Sequence, residues 1–261
     1  MALSIAGSDC SAGAGIQADL KTFEAMDVYG LTASTCAVSE VPGRVSTIEA
    51  LPPAFVRDQV LLLCRSFPVA AAKTGMMPSA AHAEAAVNAL EDSGFPESLV
   101  VDPVMVATSG QVLVSAQEID AFESLLFTRA SLLTPNMDEA GALLGKPVRA
   151  IEDFEDTARR LRDRFGCAIL LKGGHLGGET ATDLFLPLDD EPELLQSPFV
   201  PAVSTHGTGC TLSAAIAAGL AHGRQLGDAV RAAKAYVTRA IRASHSWDSP
   251  AGPVHAINHR V

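Results

Sequence analysis

Ser204-Thr205-His206-Gly207-Thr208-Gly209-Cys210-Thr211-Leu212-Ser213 is a glycine-rich loop that runs straight into an alanine-rich stretch ending at His222. The pattern predicts a helix over 208–222, yet two glycines and a thiol at its start contribute little to helix stability. Backbone amides at such a start have no partner within the helix, and with the positive end of the helix dipole they hold an anion. The plainer alternative is an ordinary helix with Thr208 as its cap. Cys210 falls in the first turn, where a thiol is expected to have a lowered pKa and to act as a base or nucleophile. An isolated cysteine elsewhere would be read as core packing.

Upstream of this segment, short aliphatic runs alternate with helix-length amphipathic stretches, which predicts a parallel sheet covered on both faces. Strands are expected over Leu3 to Ala6, Leu31 to Val38, Val69 to Lys73, Leu99 to Asp102, Ser131 to Thr134 and Ala168 to Lys172. Helices are expected over Ile16 to Asp27, Pro53 to Phe67, Ser79 to Ser93, Ser115 to Phe127, Asp138 to Leu144 and Ile151 to Phe165. Beyond Lys172, Gly173-Gly174 and Gly177-Gly178 predict a flexible loop. Asp183 to Leu188 and Leu194 to Val203 then read as antiparallel edge strands, before two closing helices over Thr208 to His222 and Leu226 to Ser244. With no repeat and no linker, residues 1–261 form a single domain.

Composition narrows the function classes. At 261 residues and 48% hydrophobic, the chain can bury a large core without disulfides or structural metal. A formal charge of -11 repels phosphate polymers and anionic headgroups, which speaks against nucleic acid and membrane surfaces as partners. The start, Met1 to Gly7, has no basic region, and Asp9 interrupts it, so no export signal is read. Five scattered cysteines without C-x-x-C spacing fit a reducing cytoplasm.

Three more signals sit at predicted strand ends, which border the ligand crevice of open α/β sheets. Thr134-Pro135-Asn136-Met137-Asp138-Glu139 places an amide and carboxylates where Mg²⁺ or its waters would be held, or merely supplies first-turn charge to a helix. Lys172-Gly173-Gly174-His175 offers a cation for a phosphate, and Asp102-Pro103 ends another strand similarly. Gly13-Ala14-Gly15-Ile16-Gln17-Ala18 matches a dinucleotide fingerprint, with acidic Glu40 downstream. Its first glycine lies too far from the strand, and Asp9 would oppose a pyrophosphate. No Walker motif occurs, so nucleotide binding must use another architecture.

In this order, the segments resemble the ribokinase-like superfamily, and within it the hydroxymethylpyrimidine/phosphomethylpyrimidine kinases of thiamine biosynthesis. The resemblance covers nearly the whole chain. It is carried by Ala6-Gly7-Ser8-Asp9 with Gly13 to Thr22, by Asp102-Pro103-Val104-Met105-Val106, Thr134-Pro135-Asn136 and Lys172 to His175, and by Thr205 to Ala215. Many sugar kinases of the superfamily carry Asp where this chain has Cys210. The fold implied is three-layer α/β/α, with a central, mostly parallel sheet and antiparallel edge strands.

The activity implied is ATP- and Mg²⁺-dependent phosphorylation of 4-amino-5-hydroxymethyl-2-methylpyrimidine and then of its monophosphate. Resemblance places Gly7, Asp19, Glu40, Met76 and Val104 around the pyrimidine. It places Cys210 near the hydroxymethyl group, with Gly207, Thr208 and Gly209 as anion-holding amides. Asn136, Lys172 and Thr205 would serve the nucleotide, Glu139 and Asp102 the metal. A cytoplasmic homodimer acting on a small molecule is implied too. Two positions depart from the family pattern: Glu40, where glutamine is usual, and Cys10-Ser11-Ala12, where Pro-Ser-Gly is common. Competing readings are a pyridoxal kinase using the same machinery, an NAD-linked oxidoreductase built on the Gly13 motif, and a non-catalytic pyrimidine sensor.

Overall fold

Alternate residues of each central strand feed two different cores, which fixes the layering. Leu3 and Ile5, Leu99 and Val101, Leu133, and Ile169 and Leu171 belong to one buried cluster. Their neighbours Ala2, Val100, Leu132, and Ala168 and Leu170 belong to the other. Side chains that alternate across a strand in this way require cover on both faces of the sheet. The computed structural model describes residues 1–96, 98–105, 114, 116–174, 176, 179–201, 206–250 and 252–261.

In chain order the elements are β1 (Ala2–Asp9), α1 (Gly15–Ala25), β2 (Gly30–Val41), β3 (Arg44–Ala50), α2 (Pro53–Ser66), β4 (Ala71–Thr74), α3 (Ala80–Ser93) and β5 (Leu99–Val101). There follow α4 (Ala116–Leu125), β6 (Leu132–Leu133), α5 (Met137–Leu144), α6 (Phe154–Phe165), β7 (Ala168–Lys172), β8 (Thr180–Leu186) and β9 (Glu193–Pro198). The chain closes with α7 (Thr208–Ala221), α8 (Leu226–Arg242), β10 (His245–Trp247) and β11 (Val254–Ala256).

Nine strands form one sheet in the order β3-β2-β1-β4-β5-β6-β7-β8-β9. The six from β2 to β7 are parallel, and β3, β8 and β9 are antiparallel additions at the two edges. Side chains of α2 to α6 fill one core, and those of α1, α7 and α8 fill the other. The three layers match the expected architecture. Order reverses between β1 and β4, so a crevice opens beyond the carboxyl ends of these strands. No helix among the described residues is long and apolar enough to cross a membrane.

Two elements were not anticipated. Strand β3 follows the turn at Pro42-Gly43, where Gly43 has φ of +83°, and pairs with β2 from Cys36 to Val41. The short hairpin β10-β11 lies near the C-terminus. The expected strand to Val203 stops at Pro198, and residues 202–203 lie outside the described residues. The same holds for Ser115, at which the fourth helix was expected to begin, and for His175 and Gly177-Gly178 of the expected glycine loop.

Candidate active site

The turn between β1 and α1 interlocks with the turn before α7. Gly15 and Gly207 both take positive φ, +59° and +82°. A Cβ on Gly15 would lie 2.3 Å from the Gly7 carbonyl oxygen, and one on Gly207 would lie 1.8 Å from that of Gly13. Only glycine permits this backbone approach. Asp9, at the end of β1, ties the two turns together. Its Oδ1 accepts from the Ser11 amide (2.7 Å). Its Oδ2 accepts from the Ser11 hydroxyl (2.9 Å), the Gly13 and Ala14 amides (3.0 and 2.8 Å) and His206 Nε2 (3.2 Å). Burial alone would raise the Asp9 carboxyl, but these donors, His206 foremost, pull it down to about 2. The same bond holds the buried His206 above the usual imidazole range.

The interlocked turns form one wall of a cavity of about 490 Å³ beyond the strand ends. Gly7, Val38 and Glu40 reach it from the sheet, Met76 from the segment just after β4, and Val45 and Ile48 from the unexpected strand β3. A Cβ on Gly7 would sit 2.7 Å from Cys36 Sγ, so a side chain here would force the buried Cys36 to shift. Val104 lines the same space with φ of +44°, a conformation that costs a β-branched residue about 1–3 kcal/mol and singles this position out.

Opposite stands a charged end. Lys172, closing β7, reaches Asp102 Oδ1 at 2.8 Å, and the Thr134 hydroxyl donates to that same oxygen. Asn136 caps α5: its side chain accepts from the Glu139 amide, and Glu139 Oε2 accepts in return from the Asn136 amide. Glu139 Oε1 accepts from the Met105 amide. Burial pushes the Glu139 carboxyl up. Burial would also lower Lys172, but the Asp102 and Glu139 carboxylates outweigh it and keep the ammonium charged. Gly209, in the first turn of α7, faces this group; a Cβ there would meet Asp102 Oδ2 and Lys172 Nζ, both at 3.4 Å. Lys172, Gly174, Thr208 and Gly209 also line a second cavity, of about 220 Å³, walled by Pro198, Phe199, Leu212, Val237 and Ile241.

A profile of the phosphomethylpyrimidine kinase family matches residues 9–255. The hydroxymethylpyrimidine/phosphomethylpyrimidine kinase of Rhizobium meliloti (strain 1021) is 41% identical over 260 residues, covering 98% of this chain and 96% of that one. This chain belongs to the phosphomethylpyrimidine kinase family. Among solved structures, a phosphomethylpyrimidine kinase from Clostridium difficile 630 superposes with a TM-score of 0.80 at 34% identity, covering 92% of this chain and 98% of that one. A Bacillus subtilis pyridoxal kinase, solved as an ADP complex, gives 0.89 at 33%, covering 99% and 96%.

Of the residues expected from the family resemblance, Gly7, Glu40, Met76, Val104, Asp102, Asn136, Glu139, Lys172, Gly207, Thr208, Gly209 and Cys210 all line the larger cavity. Thr205 lies outside the described residues, as does Val106. Three expectations require correction.

Asp19, placed beside the pyrimidine by family likeness, is completely buried outside the cavity lining. Both its oxygens contact Lys73 Nζ, at 3.0 and 2.9 Å, and one accepts from the Ser4 hydroxyl at 2.5 Å. The cap of α7 is Gly207, and Thr208 is already helical. The Cys210 thiol is pushed up to about 11, because burial outweighs the attraction of Lys73 and the amide that Gly15 donates to its sulfur.

The glycine fingerprint at Gly13 also finds its explanation. Its Gly13 and Ala14 amides already bind the chain's own Asp9, which leaves them closed to a pyrophosphate and removes the basis of the oxidoreductase reading. The residues missed from sequence, Val45 and Ile48 of β3, had one signal: the Pro42-Gly43 turn, which allows a hairpin.

Proposed function

We propose that this chain transfers the γ-phosphoryl group of ATP to the hydroxyl of 4-amino-5-hydroxymethyl-2-methylpyrimidine, and then to the phosphate of the product. The observation that carries this reading is the meeting of two cavities at one helix start. The larger, with Glu40, Met76 and Val104, suits a flat, polar-edged ring. The smaller is apolar and suits an adenine. Where they join, the first turn of α7 and the Lys172 ammonium are positioned for phosphate oxygens.

Magnesium fits the donor set. The carboxylates of Asp102 and Glu139 and the side chain of Asn136 are hard oxygen ligands beside the phosphate position, and Asp102 Oδ2 accepts no hydrogen bond among the described residues. When bound, the ion would neutralise phosphate charge. The chain's own part is positioning. The hydroxymethyl oxygen bonds to the γ-phosphorus, the bridge to the β-phosphate breaks, ADP leaves, and the alcohol's proton passes to Cys210 in its thiolate form, which becomes the thiol. A loose transition state asks for aligned groups and charge stabilisation more than for a strong base, which suits a buried thiol.

A second reading, phosphorylation of pyridoxal, draws on the pyridoxal kinases among the solved structures that superpose well. The higher-identity relative at 41% favours the pyrimidine. An ADP-release assay across the pyrimidine alcohol, its monophosphate and pyridoxal decides between them. Turnover of the first two is expected, with Lys172→Ala raising the ATP requirement. Turnover of pyridoxal alone would reverse the assignment, and binding without ADP release would indicate a sensor. We place the enzyme in a reducing cytoplasm, where its five free cysteines persist. A homodimer, checked by light scattering, completes the proposal.

A further inference from the structure

Lys73 carries a charge into a part of the sheet that is otherwise packed with aliphatic side chains. Its strand, β4, lies between β1 and β5, and the register sets Lys73 beside Ser4 on one side and Val100 on the other. Its neighbour Ala72 belongs to the core under α2 to α6. Alternation along the strand therefore turns Lys73 to the opposite face, under α1 and α7. Both it and its partner Asp19 are fully buried.

Both described hydrogen bonds of the ammonium go to the Asp19 carboxylate, which leaves at least one of its three N–H donors without an acceptor among the described residues. Burying an ammonium is costly, and a buried ion pair is often no more stabilising than two apolar side chains of the same size. Stability alone gives no reason for a charge here. A Cβ at Gly75 would lie 2.9 Å from Lys73 Nζ, so the bare glycine leaves the pinned ammonium its place.

The surroundings supply a reason. Helix α7 packs on β4, with Cys210 in its first turn. On α1, Gly15 donates its amide to the Cys210 sulfur, and Asp19, four residues on and on the same helix face, holds Lys73. Lys73 is the nearby charge that most favours the Cys210 thiolate, while Asp19 and Asp102 oppose it. Lys172 senses the same sulfur from the phosphate side. Burial would lower the Lys73 ammonium, but Asp19 outweighs it and keeps the charge in place.

We propose that Lys73 is a positioning residue of the reaction: pinned by Asp19, its ammonium is the counter-ion of the Cys210 thiolate and fixes how much of that sulfur stands ready to take the alcohol's proton. This inference rests on the function proposed above. A thiol at about 11 already includes the pull of Lys73, so removing the ammonium raises it further and leaves less thiolate at any given pH.

Alkylation of the folded protein by iodoacetamide, read at the Cys210 peptide by mass spectrometry, reports the thiolate without substrate, nucleotide or magnesium. Cys210 lines the larger cavity, within reach of so small a reagent. Lys73→Met combined with Asp19→Asn removes the pair without leaving a lone buried charge. Between pH 7 and 9 the double variant should alkylate at Cys210 about tenfold more slowly than the parent, the effect of about one unit of thiol acidity. Cys64, on α2 across the sheet, should react alike in both. ADP release with the alcohol should fall about tenfold, and with the monophosphate, whose phosphate needs little base, much less.

Equal alkylation of Cys210 in the two proteins overturns the inference, as does equal slowing with both acceptors, which a merely structural pair would give. Should the double variant fail to fold, Lys73→Met with Asp19→Leu takes its place. Should that fail too, the Lys73 ¹³Cε resonance decides: it should shift between pH 8 and 10.5 in the parent and stay still in Cys210→Ala, and no shift in the parent overturns the inference. Parent turnover with equal Cys210 alkylation sinks this inference and leaves the kinase reading standing, whereas a parent that turns over neither acceptor sinks both.

Discussion

Helices α1 and α7 both start at a glycine-rich turn beside the same cavity, and both starts lack a capping hydroxyl or amide. At α1 the amides of Gly13 and Ala14 are bound by the chain's own Asp9. At α7 the first intrahelical bond is made by Thr211, so Gly209 and Cys210 have no acceptor within the helix, and the space before them is cavity. Two similar sequence motifs thus do different work. One turn spends its positive end on an internal carboxylate and becomes a rigid brace. The other is braced by it and leaves its positive end facing the cavity.

Glycine substitutions at α7 should divide along this line. Gly207→Ala sets a Cβ 1.8 Å from the Gly13 carbonyl oxygen at a positive φ, and should destabilise the protein by about 3 kcal/mol or more, with loss of turnover. Gly209→Ala intrudes only on the space beside Asp102 and Lys172. It should leave the melting temperature nearly unchanged while impairing phosphoryl transfer. Equal thermal unfolding of the two variants would break the distinction.

Cys210→Ala should lower turnover of the alcohol by about 10² to 10⁴, the range for a lost proton acceptor, and that of the monophosphate less. Because the thiol sits at about 11, its thiolate fraction grows with pH throughout the range below. The parent's alcohol rate should therefore climb between about pH 7 and 10, with that of the alanine variant flat. Parallel pH profiles would return Cys210 to packing.

Asp9→Asn should have the smallest effect, about 2 kcal/mol of stability, corresponding to a carboxyl lowered from 3.8 to about 2. A depressed carboxyl stabilises the fold above its unfolded value and loses that contribution as pH falls. The parent should accordingly weaken between about pH 4 and 2 in a window the variant lacks. Urea unfolding at pH 7 and pH 2.5 measures this, and the same acid dependence in both proteins would remove Asp9 as the brace.

The sheet was legible because its strands are buried on both faces and read as unbroken aliphatic runs. The antiparallel edge was legible only in part. Strand β3 has no strongly buried position, so Arg44 to Ala50 carries no apolar alternation to read, and yet its Val45 and Ile48 wall the site. Most candidate residues fall on the lining of one cavity because strand ends and helix starts are local features. The errors at Asp19 and Cys210 have a common cause in partners far along the chain. Lys73, 54 residues from Asp19, claims that carboxylate. Burial of Cys210 against α1 and the sheet defeats the helix dipole that the local sequence implied.

The contrast between the two turns is tested most directly by following backbone amide resonances as a non-hydrolysable ATP analogue is added with magnesium. The amides of Gly209 and Cys210 should shift strongly and saturably, with Gly13 and Ala14 shifting little because Asp9 already holds them. Large shifts at Gly13 and Ala14, with Gly209 and Cys210 unmoved, would place the phosphates at the other helix and contradict the account.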